Sequence, residues 1–454
     1  MTIDRRSLIG AGFGLGAVAT AAHADERRPA QNPSARPNAS ALSADLTAND
    51  SRDQTAALQA AIDSAAEKDI PLVLPPGKFI VSDLRLRAGS RLIGAARTTT
   101  LVFAGGAAFV TADKADGLVL DGLTFDGAYK TFDAQRGDGL LTFANSKHVH
   151  LTDLDICNSI GIGLSLIECG GRISGVGISH VLDAGLKSLD SVGLDITGNT
   201  VNECANNGIL VWRSKAEEDG SIVSGNRISK IRNAAGGTGQ YGNGINVFRA
   251  GSVLVSGNRI SDCTYTAVRG NSASNIQIVG NSCERLGEVA LYAEFGFQGA
   301  LIANNVVDTA ASGISVTNFN DGGRLAVVQG NLIRNLFRRE QEPQDKRGEG
   351  IGVEADAVVS GNTIENAPTV GIQIGWESYM RNVAITGNVI RQARVGISVT
   401  NAPDAGKCLI ANNLISEAKD GAIRAMDSGV MTGPDLALER SANEHLHVSA
   451  NIAT

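Results

Sequence analysis

Four side chains of types that commonly take part in catalysis occupy equivalent positions in short alternating segments: Arg269, Tyr292, Glu294 and Glu354. If these segments are strands, the four side chains point to one face. In β-elimination from a uronic acid polymer, a base removes the proton beside the carboxylate and a cation neutralises the developing charge. Arg269 is the candidate cation and Tyr292 the candidate base or acid. The four residues therefore predict a polysaccharide lyase or epimerase.

The same face offers a second chemistry. Glycoside hydrolysis needs two carboxyl groups on either side of the scissile bond. If Glu294 and Glu354 lie two coils apart, their backbones are separated by roughly 10 Å. Asp321 follows the intervening segment, so it is an alternative partner for Glu294. Hydrolysis therefore stays open beside elimination.

Polar and aromatic side chains accompany these four residues along the same face. Sugar rings pack their C–H faces on aromatic rings, and their hydroxyls need fixed polar partners. The candidate substrate-binding residues are Trp212, Asn246, Phe248, Asn271, Asn318, Asp321, Gln373 and Trp376. A groove with this lining could equally bind a glycan without turnover, or its side chains could simply be solvated.

The segments that position these residues share the form Gly-Ile-x-Val. They begin at Gly208, Gly244, Gly313, Gly350, Gly371 and Gly396. Their strict alternation predicts short strands whose x residues point outward. Stacked by repeat, one outward column contains Arg269 and Tyr292, and the other contains Trp212, Phe248 and Glu294.

A second landmark fixes the repeat. Asparagine, mostly after glycine, recurs at intervals of 23 to 32 residues, at Asn199, Asn226, Asn258, Asn281, Asn305, Asn331, Asn362, Asn388 and Asn413. Such intervals are typical of a solenoid. Isoleucine or valine stands three residues before each asparagine, which predicts an inward row. The asparagines themselves predict a structural hydrogen-bonded ladder at a turn, not a glycan-binding row.

The cysteines follow the same register. Cys204, Cys263 and Cys283 occupy positions that other repeats fill with isoleucine, valine, leucine or alanine. This register predicts buried thiols that act as small apolar side chains, in place of disulfides or metal ligands.

Two repeats are longer than the others. Asn226 and Gly244 are 18 residues apart, and Asn331 and Gly350 are 19 apart, against eight or nine in most repeats. We expect the inserts, at 232–241 and 337–347, to form two walls of a cleft around Arg269 and Tyr292. Tolerated surface insertion is the alternative interpretation.

The N-terminus predicts export. Arg5-Arg6 precedes a glycine- and alanine-rich apolar run, and Ala22-His23-Ala24 is a small-x-small cleavage site. Residues 1–24 therefore resemble a twin-arginine signal peptide, which implies the twin-arginine translocase as a partner and a periplasmic or secreted protein. An ordinary secretory signal would also export the chain. Residues 25–47, rich in Pro, Ala, Asn and Ser, predict a flexible linker.

The bulk composition bounds the remaining possibilities. The chain has 454 residues with a net charge of −7, which argues against nucleic acid as a partner. We also expect no membrane span. Residues 48–100 predict a helix, from about Ala56 to Ile62, followed by the first strands as an N-terminal cap, and 436–454 predict a C-terminal cap.

Three features carry a resemblance to known proteins. The segments Asp-Ser-Arg-Asp-Gln-Thr (50–55) and Leu-Pro-Pro-Gly (74–77), with the Gly-Asn repeats, resemble the pectate-lyase-like right-handed β-helix superfamily. With the Arg-Arg signal, the chain is similar to twin-arginine-translocated repeat proteins, a family without an established activity.

The resemblance implies an all-β, single-stranded right-handed parallel β-helix over residues 101–435, here of about twelve coils. It also implies extracytoplasmic work on polysaccharides. The superfamily's motifs for particular reactions, such as Asn-Thr-Asp, Gly-His-Gly and Asp-Pro-His, are missing, so no catalytic residue is carried over. No cofactor is indicated, although calcium stays open as a ligand because Asp and Glu are scattered without a spacing pattern. We expect a monomer.

Overall fold

The computed structural model describes residues 41–133, 135–237, 239–339, 348–439 and 443–454. The predicted signal peptide, most of the predicted linker and residues 340–347 of the second insert lie outside the described residues. Within them the chain forms an all-β, right-handed parallel solenoid of about 15 turns. Successive coils stack three sheets, which we call sheets A, B and C.

Sheet A contains 16 parallel strands. In order they are Leu42–Ser43, Leu72–Val73, Arg91–Ile93, Val119–Asp121, Val149–Thr152, Gly171–Ser174, Asp195–Thr197, Ile222–Ser224, Leu254–Ser256, Ile276–Val279, Gln298–Ala303, Arg324–Gln329, Ala355–Ser360, Arg381–Thr386, Cys408–Ala411 and Leu446–Ser449.

Sheets B and C are two stacks of one 27-stranded sheet. Sheet B contains Asp50–Asp53, Gly77–Val81, Thr99–Phe103, Thr124–Asp126, Asp155–Ser159, Gly177–Val181, Thr200–Cys204, Arg227–Ile231, Arg259–Cys263, Leu332–Arg334, Leu414–Ser416 and Ile452–Ala453. Sheet C contains Leu84–Leu86, Val110–Asp113, Gly139–Ala144, Ile162–Ile167, Ala184–Leu189, Asn207–Glu218, Ile245–Gly251, Val268–Asn271, Glu349–Val353 and Ile423–Asp427, the last paired with the antiparallel Val430–Asp435. Four strands pass through both stacks: Ser282–Glu294, Val306–Val316, Thr363–Ile374 and Val389–Thr400.

The coil count differs from the predicted twelve. Asparagine marks the turn between sheets A and B only from Asn199 onward. Five coils before it contribute sheet A strands, from Leu72–Val73 to Gly171–Ser174. Their turns keep a left-handed residue such as Gly122 or Gly175, as Gly198 does before Asn199, but the buried Leu123 and Val176 stand where Asn199 does. Weaker copies of the alternating segment at Gly139, Gly161 and Gly185 bring three of these five coils into the predicted twelve. The coils of Leu72–Val73 and Arg91–Ile93 have no such copy.

The asparagine ladder is confirmed. Each of the nine asparagines donates from Nδ2 to Oδ1 of the asparagine in the next coil, at 2.9–3.0 Å, and the backbone N–H donates to the same oxygen. Asn451 is a tenth member that the spacing analysis missed. Because the nine are buried, these bonds replace water as partners along the turn.

The inward rows are also confirmed. Ile196, Val223 and the seven equivalent residues of later coils are inaccessible to solvent. All six cysteines are unpaired, and Cys204, Cys263 and Cys283 are buried in the core. Burial raises the pKa of these three thiols, so they stay protonated apolar fillers.

The single α-helix of the described residues, α1, is Thr55–Glu67 and buries Leu58, Ile62 and Ala65. It confirms the predicted helix and extends it by more than one turn. Its role as a cap over the first coil stays a prediction. The strand Leu42–Ser43 falls within the segment predicted to be linker.

The predicted C-terminal cap, 436–454, contains two strands, Leu446–Ser449 and Ile452–Ala453, that extend sheets A and B. Among the described residues, no helix is long and apolar enough to cross a membrane.

Candidate functional site

The outward face of sheet C carries the two predicted columns in the predicted register. Arg269 pairs with Tyr292, and Tyr292 pairs with Ser315 in the next coil. Trp212 pairs with Phe248, which in turn pairs with Asn271. The regular strand pairing therefore places the candidate side chains in two rows, with successive coils roughly 4.8 Å apart.

Arg269 and Glu294 form a buried ion pair at the centre of this face. Arg269 Nε donates to Glu294 Oε1 at 2.6 Å, and Arg269 Nη2 donates to Glu294 Oε2 at 3.0 Å. Asn271 Nδ2 also donates to Glu294 Oε1, at 3.0 Å. The side chains of Arg269 and Glu294 are only 12% and 3% exposed. Burial alone would lower the pKa of Arg269, but the charge and hydrogen bonds of Glu294 raise it overall.

This ion pair connects both inserts to the sheet. Arg269 Nη1 donates to the backbone carbonyl of Gly239 in the first insert, at 2.9 Å. The same nitrogen lies 3.6 Å from Glu288 Oε2, and Glu288 Oε1 lies 3.8 Å from Arg339 in the second insert. Charged side chains of sheet C therefore contact the described part of each insert, as expected for two walls beside one groove.

The groove contains a first depression of about 340 Å³. Its charged lining consists of Glu288, Glu349, Glu354 and Arg339, and its aromatic lining of Tyr292, Trp376 and Tyr379. Gly352 occupies the outward column here. A Cβ on Gly352 would meet only Glu349 Oε2, at 3.9 Å. The missing side chain leaves open space on the floor beside the Glu349 carboxylate.

Glu354 is held by the loop that follows the neighbouring coil. The backbone N–H of Phe319 donates to Glu354 Oε2 at 2.6 Å, and such a bond stabilises the ionised carboxylate. Arg381 stacks over the Phe319 ring at 4.6 Å and also binds Asp356 through Nε at 3.1 Å. Hydrogen bonds from Arg381, followed by those from Arg324 and Asn382, hold the pKa of Asp356 well below its usual range.

Tyr292 lies beneath the first depression and is largely covered. Burial raises the pKa of its hydroxyl well above the ordinary value of 10, and the negative charge of Glu294 raises it further. The hydroxyl therefore stays protonated near neutral pH, which suits a hydrogen-bond donor better than a base.

A second depression, of about 330 Å³, lies earlier along the same face. Trp212 and Phe248 contribute two rings in edge-to-face contact, with centroids 6.1 Å apart. Trp212 Nε1 donates to Asn246 Oδ1 at 3.2 Å, which fixes the orientation of the indole. The side chains of Asn271 and Phe295 complete the lining on the side of the first depression.

Ten of the twelve predicted site residues line one of the two depressions. Tyr292, Glu354, Asn318, Gln373 and Trp376 line the first, and Arg269, Trp212, Asn246, Phe248 and Asn271 line the second. Glu294 lines neither because it lies beneath them, paired with Arg269. Asp321 lines neither, although Asn320, its neighbour in the short 3-10 helix Phe319–Asp321, lines the first. The catalytic roles predicted for these residues stay predictions.

Sequence reasoning missed Glu288, Glu349, Arg339 and Tyr379. A signal existed for two of them. Glu349 directly precedes the Gly350-Ile351 segment at the end of the second insert, and Arg339 lies within the insert itself. Side chains that flank an insert can lean over the sheet, whereas strand alternation predicts only the side chains of the outward columns.

Among the described residues, no three His, Cys, Asp or Glu side chains come close enough together to hold a metal ion.

The comparisons with known proteins concern the fold. A family model for the right-handed β-helix region matches residues 216–382, part of the solenoid. This match and the observed coil support the resemblance to the pectate-lyase-like β-helix superfamily. Membership of the twin-arginine-translocated repeat family stays a prediction. No curated protein matches the chain.

Several solved structures are similar at low identity. Pre-mature gene product 12 of bacteriophage phi29 aligns with 86% of this chain at 15% identity and a TM-score of 0.47, and this chain spans 57% of its length. The A-module of mannuronan C-5 epimerase AlgE4 from Azotobacter vinelandii has 15% identity and a TM-score of 0.41, with 76% of this chain and 93% of the module covered. The catalytic unit of a GH87 α-1,3-glucanase from Streptomyces thermodiastaticus has 15% identity and a TM-score of 0.45, with 92% and 69% covered.

Proposed function

We propose that the groove on sheet C binds a polysaccharide and hydrolyses it in the first depression, with Glu349 and Glu354 as the carboxyl pair. One observation carries this proposal: Glu349 and Glu354 both line the depression, and the Glu349 carboxylate lies beside Gly352, where the outward column has no side chain. The open floor can receive a sugar ring between them, and Trp376 supplies an aromatic surface nearby.

The order of the pair along the strand is compatible with this chemistry. The Glu349 carboxylate lies beside Gly352. Glu354 follows Gly352 by two residues, so the backbones of Gly352 and Glu354 are separated by roughly 6.6 Å at ordinary strand rise. Glycosidases that invert the anomeric centre separate their carboxyl groups by roughly 6.5–9.5 Å, which leaves room for a water molecule. Glu354, which accepts the Phe319 N–H, is the base in this scheme, and Glu349 is the acid.

The elimination scheme has weaker support. It requires Arg269 to neutralise a substrate carboxylate, yet all three guanidinium nitrogens of Arg269 already face Glu294 or the Gly239 carbonyl. It also requires Tyr292 to act as a base, whereas its pKa is raised. Pairing Glu294 with Asp321 or Glu354 for hydrolysis is likewise disfavoured, because Glu294 is enclosed by Arg269 and Asn271.

Location and partners are part of the proposal. Export by the twin-arginine translocase, which Arg5-Arg6 suggests, would bring the folded protein to the periplasm or outside the cell, where polysaccharides occur. A monomer suffices, because the groove lies within one chain. Calcium is retained as a variable in the test below.

The test is product analysis by mass spectrometry after incubation with neutral and acidic polysaccharides, with and without calcium. The proposal expects saturated oligosaccharides, formed by addition of water, whose new reducing end has the inverted configuration. The variants Glu349→Gln and Glu354→Gln should not form them. Unsaturated ends would overturn hydrolysis in favour of elimination. Binding with no product from any polymer would leave a non-catalytic glycan-binding protein.

A further inference from the structure

The second depression combines rings and amides without a free charge. Trp212, Phe248 and Phe295 provide three aromatic side chains, and Asn246 and Asn271 provide amides that can donate to or accept from hydroxyls. Arg269 is the one charged residue of its described lining, and Glu294 neutralises it from below. Arg249 stacks over the Phe248 ring at 4.7 Å from outside this lining. Flat apolar faces and fixed amide groups are what an uncharged sugar ring needs.

Phe295 is an unusual residue for its position. It lies at the corner that ends sheet C, with φ of 59°, in the left-handed region that bulky side chains rarely adopt. Of the equivalent corners of other coils, those that share the positive φ carry polar residues: Asn145, Glu168, Asp190, Arg249, Ser272 and Asn318. The corners at Arg213, Ala355 and Trp376 do not share it. Phe295 is nevertheless 39% exposed, so burial in the core does not account for it. A strained, exposed phenylalanine at a corner occupied elsewhere by polar residues indicates a ligand-binding role.

Phe295 also links the two depressions. Its backbone N–H donates to Asn318 Oδ1 at 3.1 Å, and Asn318 lines the first depression. Along the outward column, Asn271 and Glu354 are three coils apart, or roughly 14 Å. One oligosaccharide of a few sugar units can therefore occupy both depressions.

We infer that the second depression is a distal subsite, centred on Trp212, Phe248 and Phe295, that binds uncharged sugar units of the chain processed in the first depression. This inference rests on the proposed function for the part of the polysaccharide that occupies the first depression. It assigns a neutral polysaccharide as the substrate, in place of the uronic acid polymer considered from the sequence.

The experiment measures binding by calorimetry at neutral pH. The probes are neutral hexasaccharides (gluco-, manno-, xylo- and chito-oligosaccharides of several linkages), their disaccharides, and hexamers of galacturonate and mannuronate. The key variant is Phe295→Asn, which installs the residue type that Asn318 shows at the same corner. Because asparagine tolerates positive φ, this variant should unfold at the same temperature as the wild type or higher.

The expected result is that at least one neutral hexasaccharide binds and that Phe295→Asn weakens it about tenfold, with its disaccharide unaffected. The matched control is Leu325→Asn. Leu325 is likewise apolar, exposed and at positive φ, but it lies on sheet A, so this variant should bind as the wild type does. Unchanged binding in Phe295→Asn would overturn the subsite, as would binding of the acidic hexamers alone or of no hexasaccharide.

The experiments distinguish failure of the proposed subsite from failure of the proposed reaction. If Phe295→Asn weakens binding but Glu349→Gln and Glu354→Gln leave turnover intact, the subsite stands and the assigned carboxyl pair is wrong. If those variants abolish turnover while Phe295→Asn behaves as the wild type, the reaction stands and the subsite is wrong.

Discussion

Glu294 receives two parallel hydrogen bonds from Arg269 beneath the groove, at 2.6 and 3.0 Å, with both side chains almost covered. A pair in this arrangement resembles a structural anchor more than a catalytic dyad. Removing one member leaves an uncompensated buried charge, whereas an exposed pair tolerates the same change.

We predict that Arg269→Ala lowers the free energy of unfolding by about 3 kcal/mol, because Glu294 would then lie buried without its cation. Urea denaturation followed by circular dichroism measures this change. Arg285→Ala is the control, since Arg285 pairs with Asp262 at the exposed surface. Equal and small losses in both variants would contradict the anchor role.

The asparagine ladder supports a second stability prediction. Asn258 donates to Asn281 Oδ1 from both its backbone N–H and Nδ2, at 3.0 and 2.9 Å. Asn258 Nδ2 also donates to the Val223 carbonyl, at 3.0 Å. Asn281→Ala therefore leaves the buried Asn258 N–H and one of the two Nδ2 hydrogens without an acceptor, so we expect a loss of about 3 kcal/mol in the same measurement. Asn320→Ala, on the exposed part of the 3-10 helix Phe319–Asp321, should change stability little. If Asn281→Ala changes stability as little as the control variant does, the ladder does not stabilise the fold.

The ladder and the outward columns were predictable because both depend on strand alternation and a repeated turn residue. The five coils before Asn199 lack the asparagine, because the buried Leu123 and Val176 follow Gly122 and Gly175 where Asn199 follows Gly198. Repetition in sequence thus underestimates repetition in structure when an apolar residue takes the place of the asparagine at a turn.

The sequence predicts which face carries the candidate site, but it does not predict how deeply each side chain is buried. Alternation places Glu294 on the outward face, yet it does not show that the Gly239 carbonyl and Arg269 cover it. Glu349 was missed because its side chain leans over Gly352 from outside the alternating segment. Contacts made by inserts have no periodic signal, so they require the three-dimensional structure.

Arg381 stacks over Phe319 in the loop beside Glu354 and also binds Asp356. The pH dependence of stability tests whether this arrangement stabilises the fold. Arg381, first among its partners, lowers the pKa of Asp356 below its ordinary value of 3.8. A lowered folded-state pKa stabilises the fold above the ordinary value and loses this contribution as the pH falls through the folded-state pKa. We therefore expect Asp356→Asn to be less stable than the wild type at pH 7, with the difference shrinking below about pH 4. A constant difference across thermal melts at pH 7 to 2 would contradict this account.

The proposed export by the twin-arginine pathway gives a prediction that can be tested in cells. Replacing Arg5 and Arg6 together with lysine should retain the precursor in the cytoplasm, because the twin-arginine pathway requires that pair. Fractionation and immunoblotting follow the protein. Unchanged delivery across the membrane would favour an ordinary secretory signal.

Gly352 offers a change that fills the first depression without touching the core. Because its Cβ direction is open, Gly352→Leu should leave the melting temperature nearly unchanged while abolishing turnover. Gly170→Leu is the control, since a Cβ there meets only ordinary contacts, at 3.5 Å or more, away from sheet C. Full activity in Gly352→Leu would place the reaction elsewhere.

The most direct measurement is turnover of neutral polysaccharides in water enriched in heavy oxygen, with the wild type, Glu349→Gln and Glu354→Gln compared. Hydrolysis adds one oxygen atom from water at each bond cleaved, whereas elimination adds none. The account predicts labelled, saturated products from the wild type and none from either variant. Unlabelled, unsaturated products, or labelled products that persist in both variants, would contradict it.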